Sequence, residues 1–200
     1  VQQLTPLSVR LRHQCWLLNS KPMKKIISGI VLSLLFTSVW AQQVKFTADK
    51  KLSSITYSMH HRLHDWDGVS RDLNSVILAD ATKTNITQVA VSVKVSSFDS
   101  KNANRDSHTI EVTEGLKYPN ITFSSTEIQQ QGDKLLVKGI LNFHGVNRNI
   151  SFEASRKKMG DKLEITGTFP VKMTQFNIEP PTLLAIPTDD EFKISFKAVY

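Results

Sequence analysis

Two stretches of this chain carry residue types that do chemistry. His60-His61-Arg62-Leu63-His64-Asp65-Trp66-Asp67-Gly68 puts three histidines and two carboxylates within nine residues, a donor set that suits a transition metal. The spacing works against that use. A strand running to about His61 sends His60 and His61 to opposite faces, and no His-Glu-x-x-His helix pattern is present. His61 continues the parity of Tyr57 and Met59, so it reads as an inward polar group. It either orients the polar end of a ligand or satisfies a core hydrogen bond. The second stretch is Arg105-Asp106 with His108, which could serve as an acid–base pair. No partner nucleophile accompanies it, for there is no Gly-x-Ser-x-Gly elbow and no glycine-rich phosphate loop. It reads instead as an ion-paired corner that fixes the start of a helix. His144, on the polar parity beside Phe143, reads as a surface turn residue. The residues therefore nominate no catalytic group, no metal set and no cofactor.

The elements that must position these residues are strands. Ile55, Tyr57 and Met59 share one face, as do Val89, Val91, Val93 and Val95, and then Ile121 and Phe123. The same period of two runs through Leu135–Phe143, Ile150–Ala154, Leu163–Val171 and Phe192–Ala198, with a weaker strand near Leu73–Ala79. This predicts about eight strands. Gln131-Gly132-Asp133, Gly145-Val146-Asn147 and Gly160-Asp161 mark tight connections, which make neighbours antiparallel. One apolar face per strand requires a single interior, hence a sandwich or a closed barrel. Asp106–Leu116 alone has helical character, ended by Gly115 and Pro119, and is expected to cover one end. Asn177–Thr188, with three prolines, is excluded from the centre of a sheet; its Leu183, Leu184 and Ile186 must rest on the body or line a pocket mouth.

The net charge of +7 does not signal nucleic acid. Arg10, Arg12, Lys21, Lys24 and Lys25 lie in residues 1–41, which hold no acidic residue; without them 20 basic residues face 18 acidic ones. Arg156-Lys157-Lys158 is too short for a binding footprint and reads as a solvated strand end. Met23-Lys24-Lys25, the apolar run Ile26–Val39 and the small-residue site at Ala41 form the pattern of a secretory signal, too short for a permanent membrane anchor. The expected organisation is an upstream segment 1–22 foreign to the native protein, a signal peptide 23–41, and a domain over 42–200 that is periplasmic or secreted. Cys15, the only cysteine, falls in the upstream segment, so the domain has no disulfide and no thiol chemistry.

A particular order of residues joins these features. Ile55-x-Tyr57-x-Met59 leads to His61 and Gly68, then Val93-x-Val95-x-Ser97-Phe98-Asp99 and Asn104-Arg105-Asp106-x-His108. Lys117-Tyr118-Pro119-x-Ile121-x-Phe123, Gly139-x-Leu141 with Gly145-Val146, and Phe176-Asn177-Ile178 follow. The chain resembles the YceI-like family of secreted or periplasmic lipid-binding proteins, also described as polyisoprenoid-binding, over nearly all of residues 44–199. The most specific part is Arg105-Asp106-x-His108 followed by Tyr118-Pro119-x-Ile121-x-Phe123. What the resemblance implies is an all-β, eight-stranded, antiparallel lipocalin-like barrel with one short capping helix. It would hold a long apolar chain in its lumen and have no catalytic activity. The His60–Gly68 segment is richer in His and Asp than is usual in that family, and the proline-rich loop at 179–187 also departs from it.

The expected function is therefore that of an exported, non-enzymatic carrier of a polyisoprenoid, an isoprenoid quinone or a similar lipid. Tyr57, Met59, His61, Val91, Val93, Phe123, Leu141, Phe143, Phe169 and Phe196 are the expected ligand contacts. Arg105, Asp106, His108, Tyr118 and Pro119 are expected to hold the helix, with neither a metal nor a nucleic acid involved. Two rivals stand beside this reading: a secreted metal-binding or hydrolytic protein using His60–Asp67, and a structural barrel with a filled interior. Alternation alone does not separate a lumen from a packed core, and it leaves the oligomeric state open.

Overall fold

A computed structural model describes residues 43–200; the expectations for the upstream segment and the leader lie outside them. The sheet strands are β1 (Val44–Thr47), β2 (Ser54–Met59), β3 (Trp66–Ser70), β4 (Asn74–Ala79), β5 (Ile86–Lys94) and β6 (Asn120–Gln131). They continue with β7 (Lys134–Phe143), β8 (Val146–Met159), β9 (Lys162–Lys172) and β12 (Glu191–Val199). A separate hairpin pairs β10 (Thr182–Leu183) with β11 (Ile186–Pro187). The ten strands form one curled antiparallel sheet, a half-barrel in the order β1-β4-β5-β6-β7-β8-β9-β12-β2-β3.

The sheet thus has ten strands where the alternation predicted eight. The two extra ones explain themselves. β1 is only four residues long, and β3 lies within the His- and Asp-rich stretch, where Trp66-Asp67-Gly68-Val69-Ser70 has no apolar period to read. Their pairing is set by their neighbours: Phe46 opposite Ile77 on β4, and Gly68 opposite Tyr57 on β2.

The tight connections have the chemistry their geometry demands. His144 and Gly145 both have positive φ, at 52° and 73°, as the two-residue turn between β7 and β8 requires. The helix α1 spans Ala103–Val112, starting earlier and ending sooner than the expected Asp106–Leu116. The Asn102 side chain caps it by accepting from the backbone N–H groups of Asn104 and Arg105, both at 3.1 Å. Glu114 at φ 45° and the bond from Gly115 N–H to the Ile110 carbonyl at 2.7 Å then turn the chain out of the helix. None of its ten residues is fully buried, so α1 rests on the barrel end rather than within it.

The interior is built from the inward rows. Ile77, Phe123, Leu135, Val137, Leu141, Phe143, Ala154, Leu163, Ile165 and Ala198 are all buried. Three mid-strand glycines shape this interior. A Cβ on Gly68 would sit 2.2 Å from the Tyr57 ring, one on Gly139 2.5 Å from the Phe123 ring, and one on Gly167 2.6 Å from the Phe196 ring. Each ring therefore lies against a bare backbone on a neighbouring strand. Rings laid along the wall leave the middle of the barrel open.

Candidate functional site

Two apolar cavities occupy that space. The first, of about 100 Å³, lies toward the far end and is walled by residues including Val91, Phe123, Val137, Phe152 and Phe196. The second, of about 160 Å³, lies beneath α1 and is walled by residues including Tyr57, Met59, Phe98, Val112, Phe143 and Ile178. Ile55, Val93, Ile121, Leu141 and Phe169 line both, so the two are neighbouring chambers that share a wall. Nearly all the lining is hydrocarbon, with an aromatic belt in the far chamber. There Phe152 stacks on Phe169 at 4.7 Å and meets Phe123 and Phe196 at 5.5 and 5.8 Å.

Nine of the ten expected contact residues line one chamber or both. The exception is His61. β2 ends at Met59, so the parity that predicted an inward, ligand-facing imidazole stops two residues short. His61 is 1% exposed and fully engaged: its Nδ1 accepts from Leu63 N–H at 3.2 Å, and its Nε2 meets the Ile186 carbonyl at 3.1 Å. It pins the β10–β11 hairpin to the β2–β3 loop and touches neither chamber.

The surrounding donors do not converge either. His60 Nδ1 pairs with Asp65 Oδ1 at 2.5 Å on the exposed surface, and the His64 ring lies 5.2 Å from that of Trp66. Among the described residues no three His, Cys, Asp or Glu side chains come together.

The Arg105-Asp106-His108 corner is not ion-paired as expected. Asp106 Oδ1 accepts from Ser100 N–H at 3.0 Å, while the Arg105 guanidinium stacks over the Trp66 ring, 5.0 Å from its centroid. Arg105, His108 and Thr109 line the chamber beneath α1. Consecutive helical residues point in different directions, so adjacency along the chain gave no pairing. Tyr118 packs away from this corner, its ring on His144 at 5.0 Å, and the Pro119 carbonyl accepts from Val95 N–H at 2.9 Å. His144 is no bland turn residue. Its Nδ1 meets the Phe176 carbonyl at 2.9 Å and its Nε2 meets Glu114 Oε2 at 3.0 Å. It joins the β7–β8 turn, the chain after α1 and the chain after β9.

Two tyrosines bring polar groups into the interior. Tyr200 lines the far chamber, and burial pushes its phenol up to about 12, with the Ser75 hydroxyl beside it pulling the other way. Tyr57 is also raised, chiefly by burial, and among the described residues its Oη has no hydrogen-bond partner.

Several lining residues escaped the sequence reading. Ile55, Ile121 and Phe152 shared the inward parities and were legible there. Trp66, Phe98, Arg105 and Pro181 were not, because β3, the chain after β5, α1 and the proline-rich loop carry no such period. In that loop Ile178 and Pro181 line the chamber while Leu184 is exposed, so its apolar residues divide between the mouth and solvent.

Comparison with known proteins agrees with this architecture. The YceI-like domain profile matches residues 46–200. The protein YceI of Salmonella newport (strain SL254) is 29% identical over 168 residues, spanning 78% of this chain and 88% of that protein. Among solved structures, BcnA of Burkholderia cenocepacia superposes with a TM-score of 0.68 at 21% identity, covering 76% of this chain and 99% of its own. A polyisoprenoid-binding domain from Saccharophagus degradans, implicated in plant cell wall breakdown, gives 0.62 at 11% identity, covering 80% and 98%. At such identities these two structures bear on the fold alone. The match of the family profile across the whole barrel, together with its inward rows and capping helix, places this chain in the YceI-like domain family.

Proposed function

We propose that this protein is an exported, non-enzymatic carrier whose lumen holds the apolar chain of a polyisoprenoid, an isoprenoid quinone or a similar lipid. The observation that carries this reading is the pair of adjoining chambers with hydrocarbon walls. A barrel with a purely structural role would close such space, because interiors pack to crystal-like density. The driving force is burial of the chain, about 25 cal/mol per Å² of apolar surface, less the cost of ordering it. Export rests on the signal pattern at Met23–Ala41. The Saccharophagus neighbour, described as polyisoprenoid-binding, lends support from the same fold.

The chambers also set a size. A cavity of roughly 150 Å³ takes a benzene ring, so about 100 and 160 Å³ give room for on the order of ten carbon atoms with α1 seated. A longer chain needs the shared wall to open or α1 to move aside.

Native mass spectrometry of the purified exported protein tests the reading. The expected result is a retained adduct of lipid mass, or uptake of an added polyprenyl chain. A clean apo mass that takes up no such chain overturns it. N-terminal sequencing of the same material is expected to begin at Gln42.

A further inference from the structure

At the α1 end of this chamber two polar groups, the Tyr57 hydroxyl and the Arg105 guanidinium, keep donors to spare among the described residues. Tyr57 is 9% exposed, and its Oη is buried without a partner among the described residues. Thr109 and Trp66 approach it without reaching hydrogen-bond geometry. Gly68 is what lets the phenol extend there, since a Cβ at that position would lie 2.8 Å from Oη. Arg105 is half-buried, and its guanidinium carbon lies over Trp66, 5.0 Å from the ring centroid. Among the described residues its side chain has one acceptor, the Ser100 carbonyl, a long contact of 3.5 Å from Nη1. Among the described residues no carboxylate pairs with it. His108 stands at the rim, engaged with Glu111 at 3.3 Å.

A guanidinium presents five N–H donors and no acceptor, and a neutral phenol presents one O–H. A chain ending in a neutral alcohol or carbonyl would satisfy Tyr57 and leave the cation uncompensated beside a hydrocarbon wall, which costs free energy. An oxyanion answers both groups, since carboxylates and phosphates accept charge-assisted bonds from the planar fork of an arginine. We propose that the α1 end of this chamber is an oxyanion-head site, where Arg105 and Tyr57 hold the carboxylate or phosphate of a single-tailed amphiphile whose tail lies in the lumen. This rests on the carrier reading above and narrows its ligand to anionic chains.

The test uses three ten-carbon probes on the full barrel domain by titration calorimetry: decanoate, decyl phosphate and decanol. Both anions, or one of them, are expected to bind about tenfold more tightly than decanol, as charge-assisted bonds would provide. The preferred anion then identifies the head as carboxylate or phosphate. Arg105→Gln is expected to remove that advantage and leave decanol unchanged. Tyr57→Phe, which keeps the ring against Gly68, is expected to weaken the anions several-fold and provides a second variant should the first not fold. Equal binding of all three probes, or an equal loss of all three in Arg105→Gln, overturns the head site while leaving the carrier intact. Binding of none of them overturns the carrier reading itself.

Discussion

At the scale of single residues, the interior polar groups make the sharpest predictions. Tyr200 is neutral in the fold, and burial raises its pKa to about 12, above the ordinary phenol value of 10.0. Its contribution is therefore fully present below pH 10 and is lost as pH rises through 10 toward 12. Two units correspond to at most about 2.7 kcal/mol. Urea midpoints measured from pH 9 to 11.5 are expected to fall, and Tyr200→Phe is expected to flatten that fall. His144 offers a different test. Its ring nitrogens hold the Phe176 carbonyl and Glu114, and its side chain is 12% exposed. His144→Ala is expected to cost about 1–3 kcal/mol in denaturant unfolding, because it leaves the carbonyl of buried Phe176 without that partner.

At the scale of elements, β7 and β9 each carry an inward-facing glycine in mid-strand, and that is where lumen and packed core part company. Gly167 lies opposite Phe196 in the β9–β12 register. Gly167→Ala is expected to push the Phe196 ring off the wall into the far chamber, costing about 1–3 kcal/mol as overpacking does. It would also reduce uptake of a polyprenyl chain, measured in the same mass-spectrometric assay. α1 answers to different forces. With no fully buried residue it depends on its cap, so Asn102→Ala is expected to cost about 1 kcal/mol locally. Faster amide exchange across Ala103–Val112, with little change in global unfolding, is the expected signature.

At the scale of the whole domain, the two ends of the barrel are built unequally. Away from α1, Arg156 reaches the Gly132 and Thr84 carbonyls and Gln130, joining β8 to the β4–β5 and β6–β7 turns. Lys83 adds bonds of 2.8 and 2.9 Å to the Asp161 and Tyr200 carbonyls, tying in the β8–β9 turn. That end is stitched shut by cations on backbone oxygens. The other is covered by a helix with no fully buried residue, so the proposed carrier role predicts that a lipid chain enters beneath α1. Stopped-flow uptake of a fluorescent fatty chain should accordingly be faster in Asn102→Ala than in the parent protein, and slowing would place the entrance elsewhere.

Period-two alternation is a local property of backbone geometry, so the sequence by itself determined an all-β domain with one inside. It also picked out nine of the residues that line the chambers. It failed where that geometry was interrupted: at β3, which has no apolar period, and at His61, which lies beyond the end of β2. Arg105 and Asp106 are adjacent in the chain and part company in the helix, for reasons only a helical turn and its neighbours could decide. The tertiary structure alone decided that the interior is a lumen. The same apolar rows would fill a core or line a cavity, and which one results depends on cross-strand register. Here that register lays Tyr57, Phe123 and Phe196 against glycines on adjoining strands and leaves the space between them free.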